Sequence, residues 1–302
     1  MGPRVKRTKK QPISISSSAI RPSPTVSHKL TQAKIATFHN LLKKRATLKR
    51  QLDSSPSATA SEAVSSSLQE VELEIAELGG LDGYQKASTL GQAKERGGDS
   101  SKVLVDWIKT RGYGKGDIRS VTYPSNDLLI LTPQSLLEIG ALRPDNYSFH
   151  KWIHNTPIDL HSQHPNILEQ DFFDRPLPAS EYEAFDIVSC SLVLNFVDEP
   201  LRRGEMLYAM RRQLKQKDSS LLFLVLPLPC LRNSRYLTIP AFVQLMKVVG
   251  FDLVQERYKA NGKVGYWLWR WAESVGDASP WRKKAVMLDG PKKNNFAVVL
   301  PQ

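Results

Sequence analysis

The residues of this chain that could do chemistry sit at the ends of short apolar runs. The first run is Leu136-Leu137-Glu138-Ile139-Gly140-Ala141-Leu142, after which Arg143-Pro144-Asp145-Asn146 turns polar. Apolar residues and an acid leading into a glycine describe a buried parallel strand that ends in a tight turn. Gly140 can take a positive φ, and it has no Cβ to hold a ligand away from the backbone. Nineteen residues later comes Asp159, inside Ile158-Asp159-Leu160. An acid about 20 residues past a glycine-bearing turn is spaced to place a carboxylate on the ribose hydroxyls of a nucleotide-like ligand. Leu142 stands where a second glycine would complete G-x-G. One glycine at a strand end is also ordinary sheet architecture, so this motif alone leaves both readings open.

The elements that must position these residues alternate. Ile167–Gln170 runs into Asp171-Phe172-Phe173, and Phe185 to Cys190 reads as a strand. Pro200 to Lys215 reads as a helix opened by Glu199-Pro200, and Leu221–Leu226 as a strongly apolar strand. Pro240–Val249 is a helix stopped by Gly250, and Phe251–Tyr258, Tyr266–Trp271 and Phe296–Leu300 read as further strands. Leu128–Leu131 is a further apolar run. Asp99-Ser100-Ser101 caps a helix carrying Val103, Leu104, Trp107 and Ile108. Strands alternating with helices imply a parallel sheet covered on both faces. Trp267, Trp269 and Trp271 alternate and share one strand face, which reads as core.

Upstream the pattern changes. Phe38, Leu41, Leu42, Leu48 and Leu52 recur at the helical period among Lys43, Lys44, Arg45, Lys49 and Arg50. Asp53 to Ser67 reads as a loop. A second, acidic helix carries Val64, Leu68, Val71, Ile75 and Leu78 and ends at Gly79-Gly80. A basic and an acidic helix joined by a loop suggest an antiparallel hairpin. Residues 82–96 read as another helix.

The charge is unevenly spread. Residues 1–50 hold 13 Lys/Arg and no acid, whereas residues 51–302 carry 29 basic and 30 acidic residues. A cationic arm on a nearly neutral body points to a polyanionic partner, most often nucleic acid. Lys6-Arg7-Thr8-Lys9-Lys10 also reads as a nuclear import signal. Residues 1–28 are rich in Ser, Pro and basic residues and are expected to be disordered. No secretory signal, myristoylation site or membrane-spanning run is read. Cys190 and Cys230 give neither a disulfide framework nor metal-ligand spacing, and they read as inert buried thiols. His150, His154, His161 and His164 lie among Pro157 and Pro165, so they are not expected to bind metal. Arg202, Arg203, Arg211, Arg212 and Lys215 surround one helix without forming a stripe and read as a solvated face, with RNA contact as the alternative.

Taken in order, Glu138-x-Gly140, Asp159, Asp171-Phe172 and Phe185 to Phe196 resemble the class I S-adenosylmethionine-dependent methyltransferases, over about residues 95–300. The resemblance implies that Gly140 approaches the methionine moiety of the cofactor, with Glu138 as the acid of the first motif. It implies that Asp159 holds the ribose and that Asp171 meets the adenine amino group, with Phe172 beside the ring. A narrower likeness rests on several longer runs. These are Tyr84-Gln85-x-Ala87-Ser88, Gly91-Gln92-x-Lys94-Glu95-Arg96-Gly97-Gly98-Asp99-Ser100-Ser101, Leu192 to Phe196 and Leu226 to Tyr236. They are similar to the fungal large-subunit (25S) ribosomal-RNA adenine-N1 methyltransferases. A related animal protein uses the same fold as a non-catalytic S-adenosylmethionine sensor that binds a protein partner, and this is the alternative reading.

The implied architecture is α/β: a Rossmann-like class I methyltransferase with a seven-stranded, mostly parallel sheet and helices on both faces. A helical hairpin and a disordered basic N-terminus precede it. The expected divisions are a tail over 1–28, a helical region over 29–95 and the methyltransferase domain over 96–302. The implied partner is ribosomal RNA or a pre-ribosomal particle, met by a monomer in the nucleus and nucleolus.

The reaction so implied needs little from the chain. Adenine N1 has an in-plane lone pair, so no base must first remove a proton, and alignment supplies most of the rate. The N6-adenine signature [DN]-P-P-[YFW] is absent, and Leu194-Asn195-Phe196-Val197 stands in its place. Asn195 could hydrogen-bond the adenine edge, or serve as a polar cap at a strand end. It is the one candidate catalytic residue.

Overall fold

The computed structural model describes residues 28–53, 58–80, 82–83, 99–112 and 134–302. Residues 1–27 of the tail read as 1–28, the run Leu128–Leu131 and most of the 82–96 helix lie outside them, while His28 is described as the start of a helix.

Two helices come first, α1 (His28–Asp53) and α2 (Ala58–Glu77). They pack on each other and bury Phe38, Leu41, Ala46 and Val71. The helix α2 starts within the Ser/Ala-rich stretch read as a loop up to Ser67. Alanine favours helix, and serine tolerates it when a neighbouring helix supplies an apolar face. The hairpin touches the rest of the chain where Arg50 meets Glu199 at 3.8 Å and where Gln163 Nε2 donates to Asp82 Oδ1.

The domain proper is built on strands β1 (Gln134–Ile139), β2 (Ile153–Asp159), β3 (Leu168–Glu169), β4 (Ile187–Ser191), β5 (Leu221–Pro227), β6 (Phe251–Tyr258) and β7 (Val264–Trp271). They form one seven-stranded sheet in the order β3-β2-β1-β4-β5-β7-β6. The first five strands are parallel, and β7 runs antiparallel to both β5 and β6. The period-2 alternation of β5 divides two cores. Leu222, Leu224 and Leu226 face one side, and Leu221, Phe223 and Val225 the other.

Helix α3 (Ser100–Thr110) covers the second side, with Trp107 set edge-on to Phe223 at 5.9 Å. The first side carries α4 (Pro200–Gln213) and α6 (Ile239–Val249), while a single short turn of helix, α5 (Pro229–Arg232), follows β5. Asp99 caps α3 by accepting from the Ser101 amide, as its sequence position implied. Gly250 closes α6 at φ 97°. Trp267, Trp269 and Trp271 are all buried on the α6 side, and Phe242 meets the first two edge-on.

Two further readings are corrected. Phe296–Leu300 is not a strand: it is an extended tail laid across α4, with Phe296, Ala297, Val298 and Leu300 buried. Gly204 makes room for it, since a Cβ there would collide with the Val299 carbonyl. The Val299 amide donates to Pro200 O instead of to a sheet partner. Nor is the cationic helix a solvated face throughout. Arg203 is 3% exposed and sends its guanidinium to Val197 O (2.8 Å), Asp198 O (3.2 Å) and Ala297 O (2.6 Å), over the Phe296 ring. Arg211 donates to Ala272 O, and Lys215 pairs with the buried Asp186. Planar donors with long apolar stems are suited to such sites.

Burial pushes the Arg203 guanidinium down to about 10, which leaves it cationic at neutral pH. Arg203→Met should therefore cost about 3–5 kcal/mol, because three carbonyls lose a charged donor at once. Chemical denaturation would read this directly, and a loss under 1 kcal/mol would show that the tail is held by its apolar residues alone.

Candidate active site

The carboxyl ends of the parallel strands gather most of the singled-out residues on one edge, where open α/β sheets bind their ligands. Glu138 lies near the end of the central strand β1, between Pro157 of β2 and Ser189 of β4. It is 8% exposed. Two amides hold its carboxyl group: Asn146 Nδ2 donates to Oε1 at 2.6 Å, and Asn155 Nδ2 to Oε2 at 2.8 Å. Burial raises its pKa to about 7 despite those two donors, and the nearby Asp99 and Asp145 push the same way.

Because the folded carboxyl keeps a proton that the unfolded one releases, stability falls as pH rises between about 4.5 and 7. The penalty is absent below that window and complete above it, amounting to roughly 3 kcal/mol. Melts of the cofactor-free chain should show this slope, and Glu138→Gln should flatten it. An identical slope in the variant would place the titrating group elsewhere.

Gly140 takes φ 77°, and its amide and that of Ala141 both donate to Ile158 O. A Cβ on Gly140 would collide with Val193 Cγ2. The positive φ expected from the sequence is present, and the turn lies directly against the loop that follows β4. Asp159 ends β2, and its Oδ1 accepts from the His161 amide at 2.9 Å. Asp171 is not on the sheet edge proper. It caps the short 3-10 turn Phe172–Asp174 by accepting from the Phe173 amide at 2.9 Å, which engages one of its two carboxylate oxygens. Phe172 is 6% exposed and belongs to the core on the α4 side.

Asn195 sits in the turn after β4, where the Phe196 amide donates to Val193 O. Its Oδ1 is buried and accepts no hydrogen bond among the described residues, and Asn155 Oδ1 is in the same condition. Such oxygens are rare because desolvating them unpaired costs about 1–3 kcal/mol each. Three residues before Asn195, Leu192 is the one non-glycine residue with positive φ among the described residues, at 59°, and it is partly exposed. A γ-branched residue held in the left-handed region is strained, and such strain gathers at binding loops.

Several contributors escape the sequence reading. Asn146 and Asn155 have the polarity of loop and edge residues, and only the fold shows that both aim at Glu138. Ser100 at the start of α3 hydrogen-bonds Ser191 at the end of β4, at 2.8 Å between hydroxyl oxygens. This contact brings Asp99-Ser100-Ser101 to the same edge. That run is among those similar to the fungal ribosomal-RNA methyltransferases, and this similarity is the signal the sequence carries. Cys190 is fully buried, with its thiol pushed up to about 12, so it is no nucleophile. No group of histidines, cysteines and acids is arranged to hold a metal among the described residues. No described helix is long and apolar enough to cross a membrane.

The edge thus offers acids (Glu138, Asp159, Asp99) and unpaired carbonyl oxygens, a set suited to a cationic ligand that carries N–H and O–H donors. S-adenosylmethionine, with its sulfonium, amino group, ribose hydroxyls and adenine amine, is such a ligand. The strand order, the reversed β7 and the glycine turn after β1 define a class I S-adenosylmethionine-dependent methyltransferase fold. Residues 69–298 match the family described as 25S rRNA (adenine(2142)-N(1))-methyltransferase, Bmt2, and the chain belongs to that family. It is 36% identical over 267 residues to the 25S rRNA adenine-N(1) methyltransferase of Schizosaccharomyces pombe, covering 87% of this chain and 89% of that one. It is 36% identical over 230 residues to the 25S rRNA (adenine(2142)-N(1))-methyltransferase of Saccharomyces cerevisiae, over 75% of this chain and 62% of that one. Among solved structures, it is similar to a 16S rRNA (adenine(1408)-N(1))-methyltransferase from Catenulisporales acidiphilia, with TM-score 0.33 and 9% identity over 57% of this chain and 92% of that one.

Proposed function

We propose that this chain transfers a methyl group from S-adenosylmethionine to N1 of an adenine in large-subunit (25S) ribosomal RNA. It would act as a monomer on ribosomal RNA or a pre-ribosomal particle, in the nucleus and its nucleolus. The single observation that carries the catalytic reading is the buried, unpaired Oδ1 of Asn195 at the carboxyl end of β4. An amide oxygen in that state is suited to accept from an adenine N6–H, which leaves N1 and its lone pair free to react.

The bound cofactor supplies an electrophilic methyl group on a sulfonium. The chain's own part is to bind and orient. Gly140 keeps the β1 turn open, Asp159 accepts from ribose hydroxyls, and Asp171 retains an oxygen for an adenine amine. Glu138, held by the Asn146 and Asn155 amides, would serve as the acid of the first motif. Asn195 holds the target base. Positive charge moves from cofactor to the methylated ring without being created, so no general base is required. The alternative, a sensor that binds the cofactor and a protein, predicts binding without turnover.

Incubating the full chain with labelled S-adenosylmethionine and a 25S ribosomal-RNA transcript decides between them. Label recovered as N1-methyladenine supports the catalytic reading. Tight cofactor binding with no transfer to the transcript or to pre-ribosomal particles would favour the sensor.

A further inference from the structure

Outside the basic arm, the chain is close to neutral, yet one short stretch is not. Residues 282–293 hold Arg282, Lys283, Lys284, Lys292 and Lys293 against one acid, Asp289. They form a strap bound to the turn that follows β5. Asn233 and Asn294 exchange backbone contact through Asn294 N–H to Asn233 O at 2.8 Å. Arg235 reaches Lys293 O, Gly290 O and Asn295 Oδ1, and Asn233 Nδ2 donates to Lys292 O. From Met287 to Asn294 the strap's backbone is therefore held by Asn233 and Arg235, while its lysine heads are not. Among the described residues Lys283, Lys284, Lys292 and Lys293 form no ion pair. Asp289 itself lies 3.8 Å from Arg235. Lys284 stands 5.8 Å from the Tyr236 ring, and Val286 and Met287 are exposed beside it.

The strap is continuous with the candidate site. It runs into the buried tail at Phe296 and Ala297, and the Arg203 guanidinium that binds Ala297 O also binds Val197 O, two residues past Asn195. Through that tail and Arg203 the cationic strap is thus tied to the loop that carries the proposed base contact.

We propose that this strap is a docking surface for the phosphate backbone of the RNA strand that enters the site. The proposal rests on the RNA-methylating reading above. Fixed cations on a backbone-anchored segment hold a strand in register at little ordering cost, whereas the N-terminal arm supplies charge without register. Apolar Val286-Met287 beside Tyr236 suits an unstacked base next to the held phosphates.

The test uses the full chain with Lys283, Lys284, Lys292 and Lys293 all changed to Ala, and a parallel variant with all four changed to Arg. The probe is a 25S ribosomal-RNA transcript. The alanine variant should keep its melt and cofactor affinity. Its KM for the transcript should rise at least tenfold with kcat near that of the starting protein. The slope of log affinity against log salt should flatten by about 3, as expected for four single-strand phosphate contacts. The arginine variant should restore both. Unchanged KM and slope in an alanine variant made from an active enzyme would overturn the docking surface while leaving the methyltransferase reading intact. Lost affinity with an unchanged salt slope would also overturn it, since the lost contacts would not be phosphates. An inactive starting protein would instead count against the enzymatic reading itself.

Discussion

Gly140→Arg is expected to abolish S-adenosylmethionine binding. The position is constrained twice over. Its φ of 77° lies where side chains are strained, at a cost of about 1–2 kcal/mol, and its Cβ would strike Val193 Cγ2. Relief of that collision would push Val193 and the loop through Asn195 away from the sheet edge, and the guanidinium would bring a second cation to a site suited to one. Calorimetric affinity should fall by more than 100-fold, beyond detection at ordinary protein concentration. Gly140→Ala should fall between the two, since it adds the collision without the charge. Both variants need a cooperative melt to be informative. Cofactor binding at the original affinity in a folded Gly140→Arg protein would show that the ligand does not approach this turn.

Asn195→Ala should lower kcat/KM for ribosomal RNA by about 1–3 kcal/mol, or roughly 5- to 150-fold, the cost of leaving a polar edge unpaired. Cofactor affinity should stay near that of the starting protein. Asn195→Asp keeps an acceptor oxygen and should retain more activity than Asn195→Leu, which fills the space without one. The rate should show no basic limb that vanishes with a single Asp or His substitution, because N1 attack needs no proton acceptor. Single-turnover methylation across pH measures all of this. Full turnover in Asn195→Ala would remove the residue from the site.

The sheet was largely legible in the sequence because each strand end carries its own punctuation. The Gly140 turn, the cap at Asp99 and the stop at Gly250 are local signals, and all three lie where the chain placed them. The tryptophans of β7 alternate, and alternation alone assigned them to the core. Long-range satisfaction was not legible. Nothing near Arg203 in sequence shows that its donors close on a tail 94 residues away. The same holds for Phe296–Leu300, whose apolar run is read equally as a strand or as a strip laid on a helix. Only the bare surface at Gly204 decides the matter. Within the site, the acids were visible as types and spacings, whereas their partners Asn146 and Asn155 were not. An asparagine in a turn or strand is common, and its aim is a property of the packed sheet.

The most direct measurement of the central claim is mass mapping of N1-methyladenine in large-subunit ribosomal RNA from cells that lack this chain. One N1-methyladenine should disappear, and it should return when the intact chain is restored but not when Gly140→Arg is. An unchanged modification profile in the deficient cells would contradict the account.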